Sequence, residues 1–323
     1  MPSNRSASKA GFKFIDLFAG IGGMRLGFES AGGICVLTSE IDEPALETYS
    51  LNYIPGHSHK YFGDICAVKS SDVPKHDVLV AGFPCQPYSI AGLRKGLKDE
   101  RGTVFMEIIR ILEDKKPKAI LLENVKGILT HDKGATLQYM VSLIEKIGYH
   151  VKFQTLNSMT HGNVPQNRER VFIVGFLSRS AADNFTFPPA VPLTKSIADA
   201  IETSAVDPKY FYDERFDCYS EIKNAVKSTN TLYQWRRQYV RENKSNVCPT
   251  LTANMGSGGH NVPLIKVKGG IRKLTPRECA NFQGFPKTFK LPNISDSKLY
   301  HQFGNSVTVP VISRIAKNIA KEL

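Results

Sequence analysis

Short apolar segments alternate with longer amphipathic segments over the first 176 residues of the chain. The apolar segments, which predict β-strands, are 12–18, 34–40, 76–83, 119–124 and 170–176. The segments with helical periodicity are 23–32, 43–53, 103–117 and about 134–147. Strands this apolar are typical of a parallel sheet that helices cover on both faces. The pattern therefore predicts an α/β fold with a mainly parallel sheet.

The pattern changes near residue 185, where three prolines lie within "FTFPPAVPL". The chain is then polar, aromatic and irregular to about residue 270, and it becomes helical again after Pro310. We expect one large domain over 1–189 and 305–323, a smaller, irregular, β-rich domain over 190–272, and a connecting segment over 273–304.

Composition adds a basic charge and reduced cysteines to this picture. The net charge of +12 and the pI of about 9.3 favour a polyanionic partner, with nucleic acid first. No apolar run approaches the roughly 20 residues that cross a bilayer, and the N-terminus has no secretory apolar region. The 6 cysteines form no Cys-x-x-Cys pair. We therefore expect a cytoplasmic protein without a membrane association.

A glycine-rich turn, "DLFAGIGG", joins the first predicted strand to the first helix. Gly20, Gly22 and Gly23 let the backbone approach a ligand closely, and the helix offers free N–H groups. Glu40 ends the second strand, where an acidic side chain can bind ribose hydroxyls. Arg25 occupies the position of the third glycine of a dinucleotide fingerprint. A nucleoside without phosphates, such as S-adenosylmethionine, is therefore favoured, although turn glycines and solvated loop acids would give the same pattern.

Four reactive or charged side chains are expected at the edge of the sheet where ligands bind. Cys85 lies between two prolines just after the third strand, and Glu123 ends the fourth. Arg168 and Arg170, in "QNRER", precede the last strand. A thiol, a carboxylate and two guanidiniums are thus predicted to converge. The competing interpretations are a structural cysteine, a buried ion-paired acid and surface charges.

Six motifs occur in a characteristic order across residues 14–309. They are "FIDLFAGIGG", "GFPCQPYS", "ENVKGI", "QNRER", "KLTPRECANFQGFP" and "QFGNSV". With them the chain resembles DNA (cytosine-5-)-methyltransferases of the bacterial type II restriction–modification class. The resemblance implies a Rossmann-like, S-adenosylmethionine-dependent domain with a smaller β-rich target-recognition domain. It also implies S-adenosylhomocysteine as a product and no metal.

The resemblance assigns a role to each of the four converging side chains. Cys85 would add as a thiolate to carbon-6 of a cytosine that is flipped out of the duplex, which makes carbon-5 nucleophilic. Glu123 would bond N3 and the exocyclic amine of the base. Arg168 would hold the base carbonyl oxygen, and Arg170 would orient Glu123 or a phosphate.

The resemblance also implies a cofactor site. Phe18 would stack near the adenine, Glu40 would take the ribose, Asp64 would bond the adenine amine, and Asn305 would reach the methionine part. Ile41 stands where many relatives carry an aromatic residue. The complete implied set is Phe18, Gly20, Gly22, Gly23, Glu40, Ile41, Asp64, Ile65, Pro84 and Asn305.

Two segments resemble DNA-contacting parts of the family. The glycine-punctuated basic loop over 89–103 is similar to a loop that closes over DNA. In the predicted recognition domain, Gln234 would fill the space that the flipped base leaves, and Arg237 would read a guanine. The implied DNA-binding residues are Ser89, Arg94, Lys98, Gln234, Arg237, Thr250 and Leu251.

The implied partner is double-stranded DNA, bound by a monomer that is nucleoid-associated through it. The chain would act alongside a restriction endonuclease without a stable complex and would protect host DNA. A transfer-RNA cytosine-5 methyltransferase shares the catalytic motifs. A zinc nucleobase deaminase would need a His-x-Glu motif, which is absent, and a second cysteine where Tyr88 lies. An inactive DNA-binding regulator is disfavoured because Cys85, Glu123 and Arg168 are all present.

Overall fold

The computed structural model describes residues 11–53, 59–83, 100–236, 238–244, 246–257 and 261–323. Six of the predicted site residues lie outside the described residues. They are Pro84, Cys85, Ser89, Arg94, Lys98 and Arg237.

A sheet of seven strands forms the centre of the larger part of the molecule. Its strands are β1 Lys13–Leu17, β2 Ile34–Ser39, β3 Lys60–Phe62, β4 Val78–Gly82, β5 Ala119–Val125, β6 His150–Asn157 and β7 Glu169–Phe176. The strand order is β3-β2-β1-β4-β5-β7-β6. The pairs from β3 to β5 are parallel, and β7 runs antiparallel to both of its neighbours. The prediction of an α/β fold with a mainly parallel sheet is confirmed.

Helices cover both faces of this sheet, as its apolar strands require. They are α1 Gly23–Glu29, α2 Glu43–Asn52, α3 Glu100–Lys115, α4 Ala135–Lys146, α5 Ser158–Gly162, α6 Arg179–Asn184 and, at the end of the chain, α10 Val309–Lys321. Strand residues of one face pack with α3 and α4, and those of the other face pack with α1 and α10. A Cβ on Gly27 of α1 would lie 2.3 Å from a methyl carbon of Ile312, so the last helix packs directly against the first.

Three features of the sheet differ from the sequence prediction. The edge strand β3 was not predicted, because it has only three residues, "KYF", and no apolar run. Strand β6 was not predicted, because its sequence "HVKFQTLN" mixes polar and apolar residues. It forms an edge of the sheet, where most of its side chains are partly or fully exposed, so it needs no continuous apolar run. The reversed direction of β7 was not predicted either, because its apolar run is the same in either direction.

A second, antiparallel sheet lies within the segment that we predict to be a smaller domain. Its strands are β8 Phe211–Tyr212, β9 Tyr233–Trp235, β10 Val240–Glu242, β11 Leu264–Val267 and β12 Gly270–Lys273, in the order β10-β9-β11-β12-β8. Helix α7 Tyr219–Ala225 covers it, and Trp235 is buried in their shared core. Helices α8 Pro276–Phe282 and α9 Asp296–Asn305 follow. None of the helices in the described ranges is long and apolar enough to cross a membrane.

A fully buried ion pair joins β12 to α8. The guanidinium of Arg272 donates to both carboxylate oxygens of Glu278, at 2.7 and 2.6 Å. Glu278 also accepts from the backbone N–H groups of Thr275 and Glu202, each at 2.9 Å. Every acceptor position of the carboxylate is thus used, which offsets the cost of burying its charge.

We expect Glu278→Ala to lower the free energy of unfolding by about 3–5 kcal/mol, because it leaves the charge of Arg272 buried without a partner. Urea unfolding followed by circular dichroism measures the change. The matched control is Asp183→Ala, which breaks the exposed Arg179–Asp183 pair and should have little effect. Equal losses in the two variants would contradict this interpretation of the buried pair.

Candidate active site

A cavity of about 400 Å³ lies at the carboxyl edge of the parallel strands. Its walls come from the turn after β1, from the ends of β2, β4 and β5, from the start of β7 and from the end of α9. Ligands of open α/β sheets bind at this edge. The predicted residues that line it are Phe18, Gly20, Gly23, Glu40, Ile41, Glu123, Arg168, Arg170 and Asn305.

The turn after β1 fixes one wall of the cavity and orients Glu40. Phe18 and Gly20 adopt positive φ angles of 56° and 54°, so the chain turns sharply where it meets the cavity. The N–H of Gly20 donates to Oε2 of Glu40 at 2.7 Å, and the N–H groups of Ile41 and Asp42 donate to Oε1 at 2.8 Å. Three donors therefore hold the carboxylate as an acceptor at the cavity wall.

The other two glycines of the turn serve close packing. Gly22 precedes α1 with a φ of 82°, and a Cβ there would lie 2.3 Å from the ring of Tyr53. A Cβ on Gly23 would lie 2.9 Å from side chains of the 306–307 segment. The guanidinium of Arg25 is buried and lies 4.5 Å from the centre of the Tyr53 ring. Arg25 thus packs against α2, and Gly22 does not line the cavity.

Glu123 and Arg170 form the polar centre of the cavity. Glu123 is 8 % exposed, and its Oε1 lies 3.1 Å from Nε of Arg170. Burial raises the pKa of Glu123, whereas the charges of Arg170 and Arg168 oppose that rise. Because burial is the largest effect, the protonated carboxyl is favoured relative to an exposed glutamate. A protonated Glu123 can donate a hydrogen bond to a ring nitrogen.

Asn124 links the end of β5 to the chain that leads to Cys85. Its Nδ2 donates to the carbonyl oxygen of Phe83 at 3.3 Å, and its Oδ1 accepts from the N–H of Val125 at 2.8 Å. Phe83 is the last described residue before residues 84–99. The bond therefore fixes the point from which the segment with Cys85 departs.

Arg168 differs from its predicted role. Its Nη1 donates to the carbonyl oxygen of Leu251 at 2.6 Å, and its Nη2 donates to those of Gly304 and Ser306 at 3.1 and 2.5 Å. The side chain is 2 % exposed. Both Nη groups are thus committed to main-chain carbonyls, and Nε is the nitrogen of this guanidinium without a hydrogen-bond partner among the described residues. Arg170 is the arginine that lies beside Glu123.

The remaining predicted cofactor residues occupy two environments. Asn305 is exposed at the cavity wall, with its Nδ2 3.4 Å from Nε2 of His301. Asp64 and Ile65 do not line the cavity. Asp64 instead caps a short helical turn by accepting from the N–H of Cys66 at 2.9 Å, and Ile65 is buried in the core.

Of the described residues that we predict to contact DNA, two are accessible and one is buried in the core. Thr250 lines a second cavity of about 310 Å³ next to Arg170, and Gln234 is partly exposed in β9. The side chain of Leu251 is fully buried, because it fills the core beneath this segment. The structure thus places Leu251 inside the molecule and not on a DNA-facing surface.

Sequence reasoning missed three cavity residues on α9, which are His301, Gln302 and Gly304. Gln302 is buried, donates to the carbonyl oxygen of Pro44 at 2.7 Å and accepts from Thr48 at 2.7 Å. These bonds dock α9 on α2. The sequence does single out Gln302, which begins the motif "QFGNSV", but nothing in the sequence indicates its hydrogen-bond partners on α2.

Comparisons with known proteins agree with this architecture. The family model for C-5 cytosine-specific DNA methylases matches residues 12–321. The type II methyltransferase M.Bsp6I of Bacillus sp. (strain RFL6) is 52 % identical over 311 residues, which cover 95 % of this chain and 98 % of that protein. M.DsaV of Dactylococcopsis salina is 42 % identical over 313 residues, which cover 96 % of this chain and 86 % of that protein.

Solved structures show the same fold at lower identity. The S. pombe Dnmt2 methyltransferase superposes with a TM-score of 0.75 at 21 % identity and covers 96 % of this chain and 98 % of that one. A putative DNA modification methyltransferase of an E. coli prophage gives a TM-score of 0.71 at 22 % identity, covering 96 % and 99 %. The match of the family model over nearly the whole sequence settles the family. This chain belongs to the C-5 cytosine-specific DNA methylases.

Proposed function

We propose that this protein methylates carbon-5 of a cytosine that is flipped out of duplex DNA within a short specific sequence. The observation that carries the proposal is the buried pair of Glu123 and Arg170 in the same cavity that Gly20 and Glu40 line. M.Bsp6I and M.DsaV are both named type II methyltransferases, which supports a role beside a restriction endonuclease for this chain. In that role the protein protects host DNA from cleavage.

The cavity fits S-adenosylmethionine, which supplies the methyl group when it is bound. Glu40 offers a fixed acceptor for ribose hydroxyls, and Phe18 and Ile41 offer apolar surface for the adenine. Arg25 packs against α2, so its positive charge does not face the glycine turn, where it could bind a phosphate. Asn305 closes the site from the opposite side. Asp64 stays the proposed partner of the adenine amine, since its cap on Cys66 uses only Oδ1 of the carboxylate.

Cys85 performs the covalent step. Its thiolate adds to carbon-6 of the cytosine, and the electron pair of the 5,6 double bond moves toward N3. Glu123 donates its proton to N3 and so stabilises the adduct, whose carbon-5 is now nucleophilic. After carbon-5 is methylated, N3 returns its proton to Glu123 and the carbon-5 proton leaves to a base. The 5,6 double bond then re-forms and Cys85 departs as a thiolate. Arg170 orients Glu123 through their contact and supplies positive charge next to the base.

The second antiparallel sheet and the loops around it supply sequence recognition in this proposal. Thr250 lies beside Arg170 and Lys126 in the second cavity, next to the catalytic centre. Gln234 lies on β9 with its side chain partly exposed. Both side chains are polar, and polar side chains make the hydrogen bonds to base edges and phosphates. Bisulfite sequencing of duplex DNA treated with the purified protein identifies the base and its context, with transfer RNA as the competing substrate.

We expect Cys85→Ser to abolish nearly all methylation while cofactor binding persists. A serine hydroxyl is hardly ionised at neutral pH, so addition at carbon-6 fails. Transfer of a radioactive methyl group to DNA measures the rate. In the wild type, DNA with 5-fluorocytosine at the target should form an adduct that resists denaturation, because fluorine at carbon-5 cannot leave as a proton. A serine variant within a few-fold of the wild-type rate would refute covalent catalysis by Cys85.

We expect Glu123→Gln to lower kcat by about 10²–10⁴-fold, because an amide cannot transfer a proton to N3. In the wild type, activity that depends on protonated Glu123 should fall as the pH rises through its pKa. Burial moves that fall to a higher pH than an exposed glutamate would give.

The matched control is Glu169→Gln, which breaks the exposed ion pair with Lys126 at the residue directly before Arg170. Its kcat should stay within a few-fold of wild type. A Glu123→Gln enzyme with an unchanged rate and pH profile would exclude the proton-transfer role.

We expect Arg237→Ala to weaken binding by about 1–3 kcal/mol at one guanine position of the site. Lys98→Ala should instead weaken binding to all sequences and reduce the salt slope by about one. Affinities for the cognate duplex and its single-base variants, each at several salt concentrations, separate the two effects. A uniform loss for Arg237→Ala would assign that side chain to the phosphate backbone.

A further inference from the structure

Arg168 connects two parts of the molecule that the proposed function gives different tasks. One of its carbonyl partners belongs to Leu251, directly after Thr250 of the second cavity. The other two belong to Gly304 and Ser306, which flank Asn305 at the wall of the first cavity. A single buried guanidinium therefore sets the distance between these two walls.

Residues close to and including Arg168 bond both the N–H and the carbonyl oxygen of Leu251. The N–H of Leu251 donates to Oε1 of Gln166 at 3.1 Å, while its carbonyl oxygen accepts from Arg168 at 2.6 Å. The hydroxyl of Thr250 donates to the carbonyl oxygen of Asn167 at 2.7 Å. Three consecutive residues, 166–168, thus fix the position of the 250–251 pair.

A second, independent contact joins the same two walls. A Cβ on Gly304 would lie 2.2 Å from the carbonyl carbon of Thr252 and 2.3 Å from the amide nitrogen of Ala253. The backbone of α9 therefore touches the backbone that follows Leu251, with no side chain between them. Backbone atoms in contact cannot move past each other without breaking the bonds of Arg168, so the two walls move as one unit.

We propose that Arg168 is a positioning residue that couples the cofactor wall to the target-recognition segment. Cofactor binding orders the turn at 304–306, and Arg168 transmits that order through Leu251 to Thr250, which contacts DNA in the proposed function. By linkage, cofactor and cognate DNA then each raise the affinity for the other by the same factor. This inference rests on the proposed function, since it takes the cofactor and DNA as ligands of these two walls.

The test is a binding cycle with S-adenosylhomocysteine and the duplex site found by bisulfite sequencing. The dissociation constant of the duplex is measured with and without saturating S-adenosylhomocysteine, and the ratio of the two is the coupling factor. We expect a factor of about tenfold for the wild type, within the usual range for coupled sites. Arg168→Met should bring the factor close to one, and Arg168→Lys, which keeps the charge but has a single donor group, should give an intermediate value.

Arg314 of α10 supplies the matched control. Its guanidinium also donates to two main-chain carbonyl oxygens, those of His161 at 2.7 Å and Pro189 at 2.9 Å, but it lines neither cavity. Arg314→Met should keep the wild-type coupling factor. A purely structural role for Arg168 would weaken the binding of both ligands and leave their ratio unchanged.

The outcomes separate this inference from the proposed function. A wild-type factor near one, or Arg168 variants with the wild-type factor, would overturn the coupling while methylation stands. A wild type that binds neither S-adenosylhomocysteine nor duplex DNA would overturn the proposed function itself. If Arg168→Met does not fold, Arg168→Lys decides, together with Gly304→Ala. The alanine variant strains the same contact with Arg168 intact and should also lower the factor.

Discussion

Buried main-chain carbonyl groups need donors, and the arrangement of both cavities depends on how this requirement is met. The donors come from the side chains of one short segment, 166–168, just before β7. Arg168 satisfies three carbonyl oxygens, and Gln166 donates to that of Phe282 at 2.6 Å. The acceptors come from distant parts of the chain. Strand β7 lies within the central sheet, so this network attaches the C-terminal helices and the recognition segment to that sheet.

Both cavities also require that distant residues meet at a common edge, which the central sheet provides. Residues far apart in sequence meet there because the parallel strands β1, β2, β4 and β5 all end on the same side. Each end carries a different chemical group: a glycine turn, the acceptor Glu40, the chain that leads to Cys85, and Glu123. The network around Arg168 then adds Asn305 and Thr250 to that edge. Sheet geometry and buried hydrogen bonds together account for both cavities.

The sequence predicts the parts of the fold that depend on local pattern. Apolar runs located the ends of β1, β2, β4 and β5 to within two residues, and the motifs placed Glu40 and Glu123 at strand ends. Roles that depend on distant partners could not be predicted. Arg168 and Arg170 are equivalent by sequence spacing, and only their surroundings assign one to carbonyl groups and the other to Glu123. Leu251 is an apolar residue in a polar segment, and only the packed core shows that it points inward.

The C-terminal part of the cavity has a consequence for the order in which the protein is made. The wall at 301–307 and the helix α10 are synthesised long after β7, the strand of the seven-stranded sheet that comes latest in the sequence. Chains grow at roughly 5–20 residues per second, so the sheet waits several seconds on the ribosome for the groups that complete its ligand site. During that interval the nascent chain exposes the face of α1 that α10 later covers. The ligand site is therefore completed only when α10 packs against α1, in a docking step that follows synthesis of the sheet.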